Sequence, residues 1–320
     1  MMYKALSSLL IVASAQACIN ETTLVEATEK RLNISGITLS PSIHGGDNKV
    51  FFIKKQDTVL AIAKCYTKRT IQEVERIYQL SDLLSKELPI PRTLAIFLHD
   101  QTPVSLQIFL PGQHYENLSI EQRAEVAKSM AKMHTIPLQS ANRTLNIKEF
   151  DYDALLKLCP NFPEHEYIKR LYQSLDLNYL NGLPQAVIHG DFSGSNILFQ
   201  NNTISGIIDL DHARYSYRLT DIARAQVFFA FNQDGTLQEN TIKYFLRAYA
   251  EHNELSSEEL INFYTHLKIL LIKIILETYY YVEVKKEVSP EIFKTSSFNK
   301  SWQLLLKMLH ALEGRSTITL

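Results

Sequence analysis

Apolar and polar positions in the first third of the chain follow mostly a β-strand pattern. Residues 49–66 hold two β-rich runs joined by a short polar turn, which predicts a hairpin. In residues 70–87 the apolar side chains recur every three or four positions, which predicts a helix. Two further extended runs, at 93–98 and 104–110, follow the prolines that end this helix. The pattern in this part of the chain therefore predicts a β-sheet with one helix.

The pattern becomes helical after Pro111-Gly112. Helical spacing recurs at 119–134, at 164–180 and over most of 237–311. Between them lie two short strand-like runs, 196–199 and 204–210. The chain is therefore predicted to be an α+β protein with two lobes, a small β-rich lobe at 35–109 and a larger helical lobe at 110–320.

Composition excludes several classes of protein. The 320 residues are 46% hydrophobic and 21% charged, which is typical of an ordinary globular chain. The formal net charge of −1 gives no basic footprint for nucleic acid, so no nucleic-acid partner is expected. An apolar stretch at 261–282 carries Lys268, Lys273 and Glu277, which favours a core helix over an integral membrane span.

The three cysteines, Cys18, Cys65 and Cys159, are far apart and show no metal-binding spacing. An odd, sparse set argues against a disulfide framework and fits a reducing compartment. We interpret them as small buried apolar side chains.

The N-terminal segment 1–34 has two interpretations. An apolar run at 5–17 ends in Ala-Gln-Ala before Cys18, which resembles a secretory signal for export. The run is too short to cross a bilayer as a helix. The favoured alternative is an amphipathic or buried N-terminal helix, which would not direct the chain to export. A cytoplasmic location is therefore predicted.

The candidate chemistry lies in residues 187–211. Asp191 is followed five residues later by Asn196, and Asp209 follows a predicted β-hairpin. A carboxylate can orient an acceptor hydroxyl and take its proton during phosphoryl transfer. Carboxylate and amide oxygens are the hard ligands that Mg²⁺ prefers. This spacing is also that of the kinase catalytic loop and its following metal-binding aspartate.

His189-Gly-Asp191, Asn196 and Ile208-Asp209 together resemble the signature of the aminoglycoside phosphotransferase, choline kinase and homoserine kinase group. The resemblance is strongest over 187–225 and weaker over 42–112. It implies a protein-kinase-like fold and transfer of the γ-phosphate of ATP, or of GTP, to a hydroxyl of a small molecule.

Roles in the helical lobe follow from this resemblance. Asp191 would be the catalytic base, and Asn196 and Asp209 would hold Mg²⁺. His189 would support the loop without acting as a base. Asp221 would brace the loop from the next helix, and it is also a candidate N-cap of that helix.

The resemblance places the nucleotide-binding residues in the β-rich lobe. Gly45, Gly46 and Asn48 form a turn that would cover the phosphates. Lys64 is the candidate lysine for the α- and β-phosphates, with Ala61 as the alternative occupant of that position. The helix partner of the lysine would be Glu75 or Glu73, which lie on different helix faces, and Glu75 is preferred.

An acceptor site is expected in the helical lobe. Glu277 and Tyr280 belong to an acidic and aromatic cluster that would attract a cationic acceptor such as an amino sugar, choline or a homoserine-like amino alcohol. Asp211 is a further candidate for this site, and its alternatives are to help hold the metal, to orient the loop or simply to face solvent. The alternative for the three adjacent tyrosines 279–281 is that at least one belongs to the core.

Other activities remain open at this level. One alternative is a kinase that phosphorylates proteins, although no Ala-Pro-Glu follows Asp209. Another is a nucleotide-binding regulatory module without transferase activity. An exported protein that uses the fold for another purpose is the third.

Overall fold

Strands and helices are distributed unequally along the chain. The computed structural model describes residues 19–42, 48–115, 117–137, 152–286 and 301–320. The chain divides into two units, one running to Lys86 and resuming at Ile90–Leu110, the other made of Glu87–Pro89 and Pro111–Leu320. The turn at Gly45-Gly46 and the apolar run at 5–17 both lie outside the described residues.

The first unit is built on an antiparallel sheet in the order β1-β2-β3-β5-β4. Its strands are β1 (Thr38–Pro41), β2 (Lys49–Lys55), β3 (Thr58–Cys65), β4 (Thr93–His99) and β5 (Thr102–Ile108). The predicted hairpin is the β2–β3 pair, in which Phe51 lies opposite Ala63. The β-branched and aromatic residues that predicted these strands suit a pleated, half-buried surface.

One face of this sheet packs on an N-terminal helix, α1 (Glu21–Leu32). Asn20 caps α1, because its side chain accepts hydrogen bonds from the backbone N–H groups of Thr22 and Thr23. Leu24 is fully buried in the same cluster as Ala61, Ala63 and Cys65 of β3. The described part of the N-terminal segment is therefore included in the hydrophobic core of this unit.

Helix α2 (Ile71–Leu84) packs on β4 and β5. It begins with a capping box, in which the side chains of Thr70 and Glu73 each bind the other residue's backbone N–H. Val74 and Tyr78 are buried in a cluster with Tyr66, which follows β3. Tyr66 lies two residues after Lys64, just beyond the end of β3, so the alternation of the strand places both on the same face.

The second unit is largely helical. Within the described residues its helices are α3 (Ile120–Thr135), α4 (Tyr152–Leu158), α5 (His165–Ser174), α6 (Arg218–Phe229), α7 (Glu239–Ala250), α8 (Ser257–Tyr279) and α9 (Trp302–His310). The long apolar helix α8 packs against α6 and α9 and buries residues on most of its circumference. In the described part of the chain no helix is both long and apolar enough to cross a membrane.

Two short antiparallel pairs lie among these helices. Strand β6 (Gln185–Ile188) pairs with β9 (Arg214–Tyr217), and β7 (Ile197–Gln200) pairs with β8 (Thr203–Ile207). The β7–β8 pair was predicted from sequence, but β8 ends at Ile207, before Asp209. The loop after β6 and the turn after β8 carry the candidate catalytic residues.

The two cysteines within the described residues behave as the sequence predicted. Cys65 and Cys159 are free thiols and fully buried. Burial raises the pKa of Cys65 to about 12, with a smaller opposing effect from Lys49, and raises the pKa of Cys159 to about 11. Both are therefore protonated, unreactive core residues at neutral pH. Cys18 lies outside the described residues.

Candidate active site

The loop that follows β6 turns sharply at Gly190. Its φ of +80° lies in the left-handed region, which glycine adopts without steric cost. A Cβ at this position would collide with the backbone oxygen of His212. The turn therefore requires glycine, and it places Asp191 three residues after the buried end of β6.

His189 is held by both ring nitrogens. Its Nδ1 accepts a hydrogen bond from the backbone N–H of Asp191 at 3.2 Å. Its Nε2 lies 3.0 Å from the backbone oxygen of Ile208, which can only accept. One donor and one acceptor describe a neutral imidazole with its proton on Nε2. The ring thus links the Asp191 loop to the residue before Asp209, and it has no nitrogen left for a substrate.

Asn196 faces the Asp191 carboxylate with its amide nitrogen. Nδ2 donates to the backbone oxygen of Asp191 at 2.9 Å and to Oδ2 of the same residue at 3.0 Å. Because both amide hydrogens are used in this way, the amide oxygen of Asn196 points away from Asp191. Asn196 and Asp191 are both largely buried.

Asp209 lies in the turn that follows β8. Its φ of 63° and ψ of 58° are left-handed, a conformation that aspartate tolerates better than most residues. The preceding residue, Ile208, donates its N–H to the backbone oxygen of Asn196 at 2.9 Å and accepts from His189. The backbone therefore ties Asp209 to the Asp191 loop, and its side chain is exposed.

Asp221 contacts the backbone of the catalytic loop. Its carboxylate accepts hydrogen bonds from the N–H of His189 at 2.6 Å and of Gly190 at 2.8 Å. Burial raises the pKa of Asp221, but the hydrogen bonds that its carboxylate receives from the His134 side chain and the His189 backbone outweigh this effect, and the net pKa is lowered. The N-cap interpretation is wrong: α6 begins at Arg218 after Tyr217, so Asp221 lies inside its first turn.

A buried histidine that the sequence did not single out supports Asp221 from α3. Nε2 of His134 lies 3.3 Å from Oδ2 of Asp221, and Nδ1 lies 2.8 Å from the hydroxyl of Tyr249. Burial raises the pKa of Tyr249, so its hydroxyl stays protonated and can donate to Nδ1. Three helices, α3, α6 and α7, thereby converge on the loop.

Arg224 is a second residue that sequence reasoning missed. It lies on α6, and its guanidinium donates to Oδ1 of Asp191 from Nε at 3.1 Å and from Nη2 at 2.7 Å. A signal was present, because positions i and i+3 share a helix face and Asp221 precedes Arg224 by three residues. The motif that identified the loop ends at Asp209, before α6 begins, so it does not include Arg224.

In the first unit, Lys64 is buried on β3 with its amine over the ring of Tyr66. In the sheet register Lys64 lies opposite Ser105. The hydroxyl of Tyr78, from α2, lies 2.6 Å from Oγ of Ser105 and 2.6 Å from the hydroxyl of Tyr66. Tyr78 is thus a buried polar group of α2 that reaches the strand beside Lys64.

The two glutamates proposed as partners of Lys64 are exposed on α2. Glu75 is exposed, and the carboxylate of Glu73 accepts from the backbone N–H of Thr70 at 2.7 Å. Ala61, the alternative to Lys64, is buried in the core cluster that packs on α1. Asn48 is half-buried just before β2.

The candidate acceptor residues make local contacts. Glu277 lies 3.7 Å from the amine of Lys273, one turn earlier on α8. Tyr280 begins a π-helical turn, Tyr280–Val284, and its ring packs edge-on against Tyr281. Asp211 is half-buried in the short 3₁₀ turn after Asp209. Tyr279 is buried against Phe162, as expected if one of the three tyrosines belongs to the core.

Comparison with known proteins identifies the family of this chain. The model of the phosphotransferase enzyme family matches residues 38–255, more than half of the chain. The chain belongs to the phosphotransferase enzyme family. It is a kinase that acts on a hydroxyl acceptor, as the catalytic-loop motif predicted.

Curated relatives of the chain include homoserine kinases. The homoserine kinase of Zymomonas mobilis is 26% identical over 244 residues, which cover 71% of this chain and 74% of that protein. The homoserine kinase of Pseudomonas aeruginosa PAO1 is 23% identical over 247 residues, which cover 72% and 76%. The predicted resemblance to this group is confirmed.

Solved structures with the same fold confirm the predicted α+β, kinase-like architecture. Amicoumacin kinase hAmiN, in complex with AMP-PNP and Ca²⁺, superposes with a TM-score of 0.62 at 13% identity, covering 94% of this chain and 95% of that one. A microcompartment-associated aminopropanol kinase gives a TM-score of 0.57 at 12% identity, covering 90% and 96%. These identities are low, so the similarity is one of fold.

Proposed function

We propose that this chain transfers the γ-phosphate of ATP to a hydroxyl group of a small amino alcohol, with Asp191 as the base. The observation that carries the proposal is the contact between Asn196 and Asp191, whose amide nitrogen and carboxylate oxygen are 3.0 Å apart. This contact orients both side chains. In the proposal, the carboxylate of Asp191 would serve the acceptor hydroxyl and the amide oxygen of Asn196 would be left for a metal.

The donor set suits a magnesium ion. Asn196 offers a neutral oxygen and Asp209 an anionic one, and both are hard ligands of the kind Mg²⁺ prefers. Among the described residues no group of three or more His, Cys, Asp or Glu could hold a metal. Two protein ligands are sufficient here, because Mg²⁺ at such sites completes its shell with phosphate oxygens and water. When bound, the ion would neutralise charge on the phosphates.

The reaction then follows from the side chains. Asp191 accepts the proton of the acceptor hydroxyl while that oxygen forms a bond to the γ-phosphorus. The bond between the γ-phosphorus and the β–γ bridging oxygen breaks, and ADP leaves with that electron pair. Asp191 releases its proton to water. His189 and Asp221 hold the loop and take no proton in this scheme.

The nucleotide roles of the first unit belong to the same proposal. Lys64 would contact the α- and β-phosphates, and the turn at Gly45, Gly46 and Asn48 would cover them. The buried position of Lys64 on the face of β3 that carries Tyr66 supports Lys64 over Ala61, which is buried among core residues. Glu75 remains the candidate partner from α2.

Homoserine is the first acceptor to test. The homoserine kinase relatives support a small acceptor that carries both an amine and a hydroxyl. Glu277, Tyr280 and Asp211 would line its site. Glu277→Gln should raise the KM for the acceptor without changing that for ATP, whereas Glu258→Gln, at the other end of α8, should change neither. An unchanged acceptor KM would remove Glu277 from the site.

The deciding experiment is a transfer assay with purified protein, Mg²⁺ and γ-labelled ATP. The acceptors are homoserine, aminopropanol, choline, ethanolamine and aminoglycosides, beside an Asp191→Asn control. Label transferred to one compound, and lost in the control, supports the proposal and identifies the acceptor. Transfer that survives Asp191→Asn contradicts the role of Asp191. We place the reaction in the cytoplasm, where ATP is abundant, and subcellular fractionation tests this location.

A further inference from the structure

A positively charged side chain from outside the motif, Arg224 on α6, contacts the loop that carries Asp191. Arg224 is 9% exposed, and its guanidinium contacts Oδ1 of Asp191 through both Nε and Nη2. The side chains of Arg224 and Asp191 are each only 10% exposed, so the two charges are largely removed from water. Burial of an ionised carboxylate without a partner costs free energy, and the ion pair with Arg224 offsets that cost.

The two carboxylate oxygens of Asp191 differ in the number of hydrogen bonds that they accept. An ionised carboxylate offers about four acceptor positions, two on each oxygen. Oδ1 receives two N–H groups from Arg224 and is filled. Oδ2 receives one N–H from Asn196 at 3.0 Å, which leaves one acceptor position on that oxygen. The remaining position is the one that a substrate hydroxyl can use.

We propose that Arg224 is a positioning residue, which fixes the carboxylate of Asp191 so that Oδ2 faces the acceptor hydroxyl. This inference rests on the proposed function, in which Asp191 is the base. Without Arg224 the carboxylate could rotate about its Cβ–Cγ bond, and either oxygen could turn toward Asn196. Misplacement of a reacting group by about 1 Å can cost about 100-fold in rate.

Helix α6 is placed to do this because one of its faces holds both the backbone and the side chain of the loop. Asp221 binds the N–H groups of His189 and Gly190, and Arg224, three residues later, binds the side chain of Asp191. Phe228, one turn further, has its ring 5.9 Å from the guanidinium carbon, which is within the range of a cation–π contact. A lysine could supply charge at this position but not the planar pair of donors.

The test compares Arg224→Ala and Arg224→Lys with Arg123→Ala. Arg123 is a matched control, because it is a half-buried arginine whose guanidinium contacts the neutral hydroxyl of Thr241. We expect Arg224→Ala to lower kcat about 100-fold with the KM for ATP unchanged, and Arg224→Lys to recover part of the loss. Millimolar guanidinium ion should restore Arg224→Ala at least 5-fold, with no effect on Asp191→Asn or Arg123→Ala.

Two results would overturn the role of Arg224. One is a kcat of Arg224→Ala within twofold of the parent value, in an assay where Asp191→Asn is inactive. That result would contradict the role of Arg224 but would still support the proposed function. The other is a loss of kcat that guanidinium does not restore. Absence of transfer by the parent protein with every acceptor would instead contradict the proposed function.

The ion pair itself can be measured without any turnover. Melting temperatures of Asp191→Asn, Arg224→Ala and the double variant form a cycle. We expect the double variant to melt at least 3 °C above the value given by adding the two single shifts, because each single change leaves an uncompensated buried charge. Additive shifts would show that the pair does not form, and would overturn the inference even for variants that fold poorly.

Discussion

The backbone N–H of Gly190 donates a hydrogen bond to Oδ1 of Asp221 at 2.8 Å, joining the left-handed turn of the Asp191 loop to a fully buried carboxylate. The other oxygen of Asp221 accepts from the N–H of His189. The loop conformation therefore depends on one ionised side chain on α6, and that dependence can be tested by mutation and by pH.

Asp221→Asn should destabilise the fold and slow transfer. An asparagine amide can accept at its oxygen but not at its nitrogen, so one of the two loop N–H groups loses its partner. We expect the free energy of unfolding at pH 7 to fall by about 3 kcal/mol, measured by urea denaturation. Asp153→Asn, which changes an exposed carboxylate on α4, should change the free energy of unfolding by less than about 0.5 kcal/mol.

The same variant gives a pH dependence with a definite sign. The pKa of Asp221 is lower in the folded protein than its ordinary value of 3.8. Its contribution to stability is therefore complete above that ordinary value and is lost as pH falls through the folded-state pKa. The gap in unfolding free energy between parent and Asp221→Asn should be constant from pH 7 to about pH 5 and narrow below about pH 4. A gap that widens on acidification would contradict this assignment.

Gly190→Ala should abolish most of the transferase activity. The substitution forces a Cβ into a left-handed residue, where it collides with the backbone oxygen of His212, so the loop must move. We expect kcat to fall about 100-fold, since Asp191 is the next residue. Gly182→Ala is the matched control, because its Cβ would meet only Glu258, at 3.9 Å, and kcat should be unchanged. Equal activity of the two variants would argue against a rigid loop.

Lys64→Ala should impair the use of ATP. If Lys64 contacts the α- and β-phosphates, its removal takes away a charge-assisted contact, and we expect at least about a tenfold loss in kcat/KM for ATP. The exposed Lys55, on the neighbouring strand, provides the control variant Lys55→Ala. Steady-state kinetics at saturating acceptor make the comparison. Unchanged ATP parameters would remove Lys64 from the nucleotide site.

Cys65 and Cys159 should resist thiol reagents until the protein unfolds. Their pKa values of about 12 and about 11 leave little thiolate at pH 8, and both side chains are buried. In a Cys18→Ser variant we expect Ellman's reagent to react at least about 100-fold more slowly with native than with guanidinium-denatured protein. A rapid reaction of either thiol in native protein would contradict the buried position.

Sequence patterns predicted the elements and the motif because both are local. Periodicity over 49–66 and 70–87 depends only on neighbouring residues, and it gave the β2–β3 hairpin and α2. The step from Asp191 to Asn196 spans five residues in one loop, and their side chains do meet. The strand pair β6–β9 was not predicted, because β9 is four residues long and its partner lies 26 to 32 positions away.

Local spacing and residue type are enough to predict the family, the fold class and the loop that carries Asp191. The residues that surround this loop become known only from the folded chain. Arg224 reaches Asp191 across 33 positions of sequence, and His134 reaches Asp221 across 87. In α2 it is Tyr78, and not a glutamate of the first turn, that reaches the strand beside Lys64. Such contacts depend on how helices pack, and no local pattern specifies that packing.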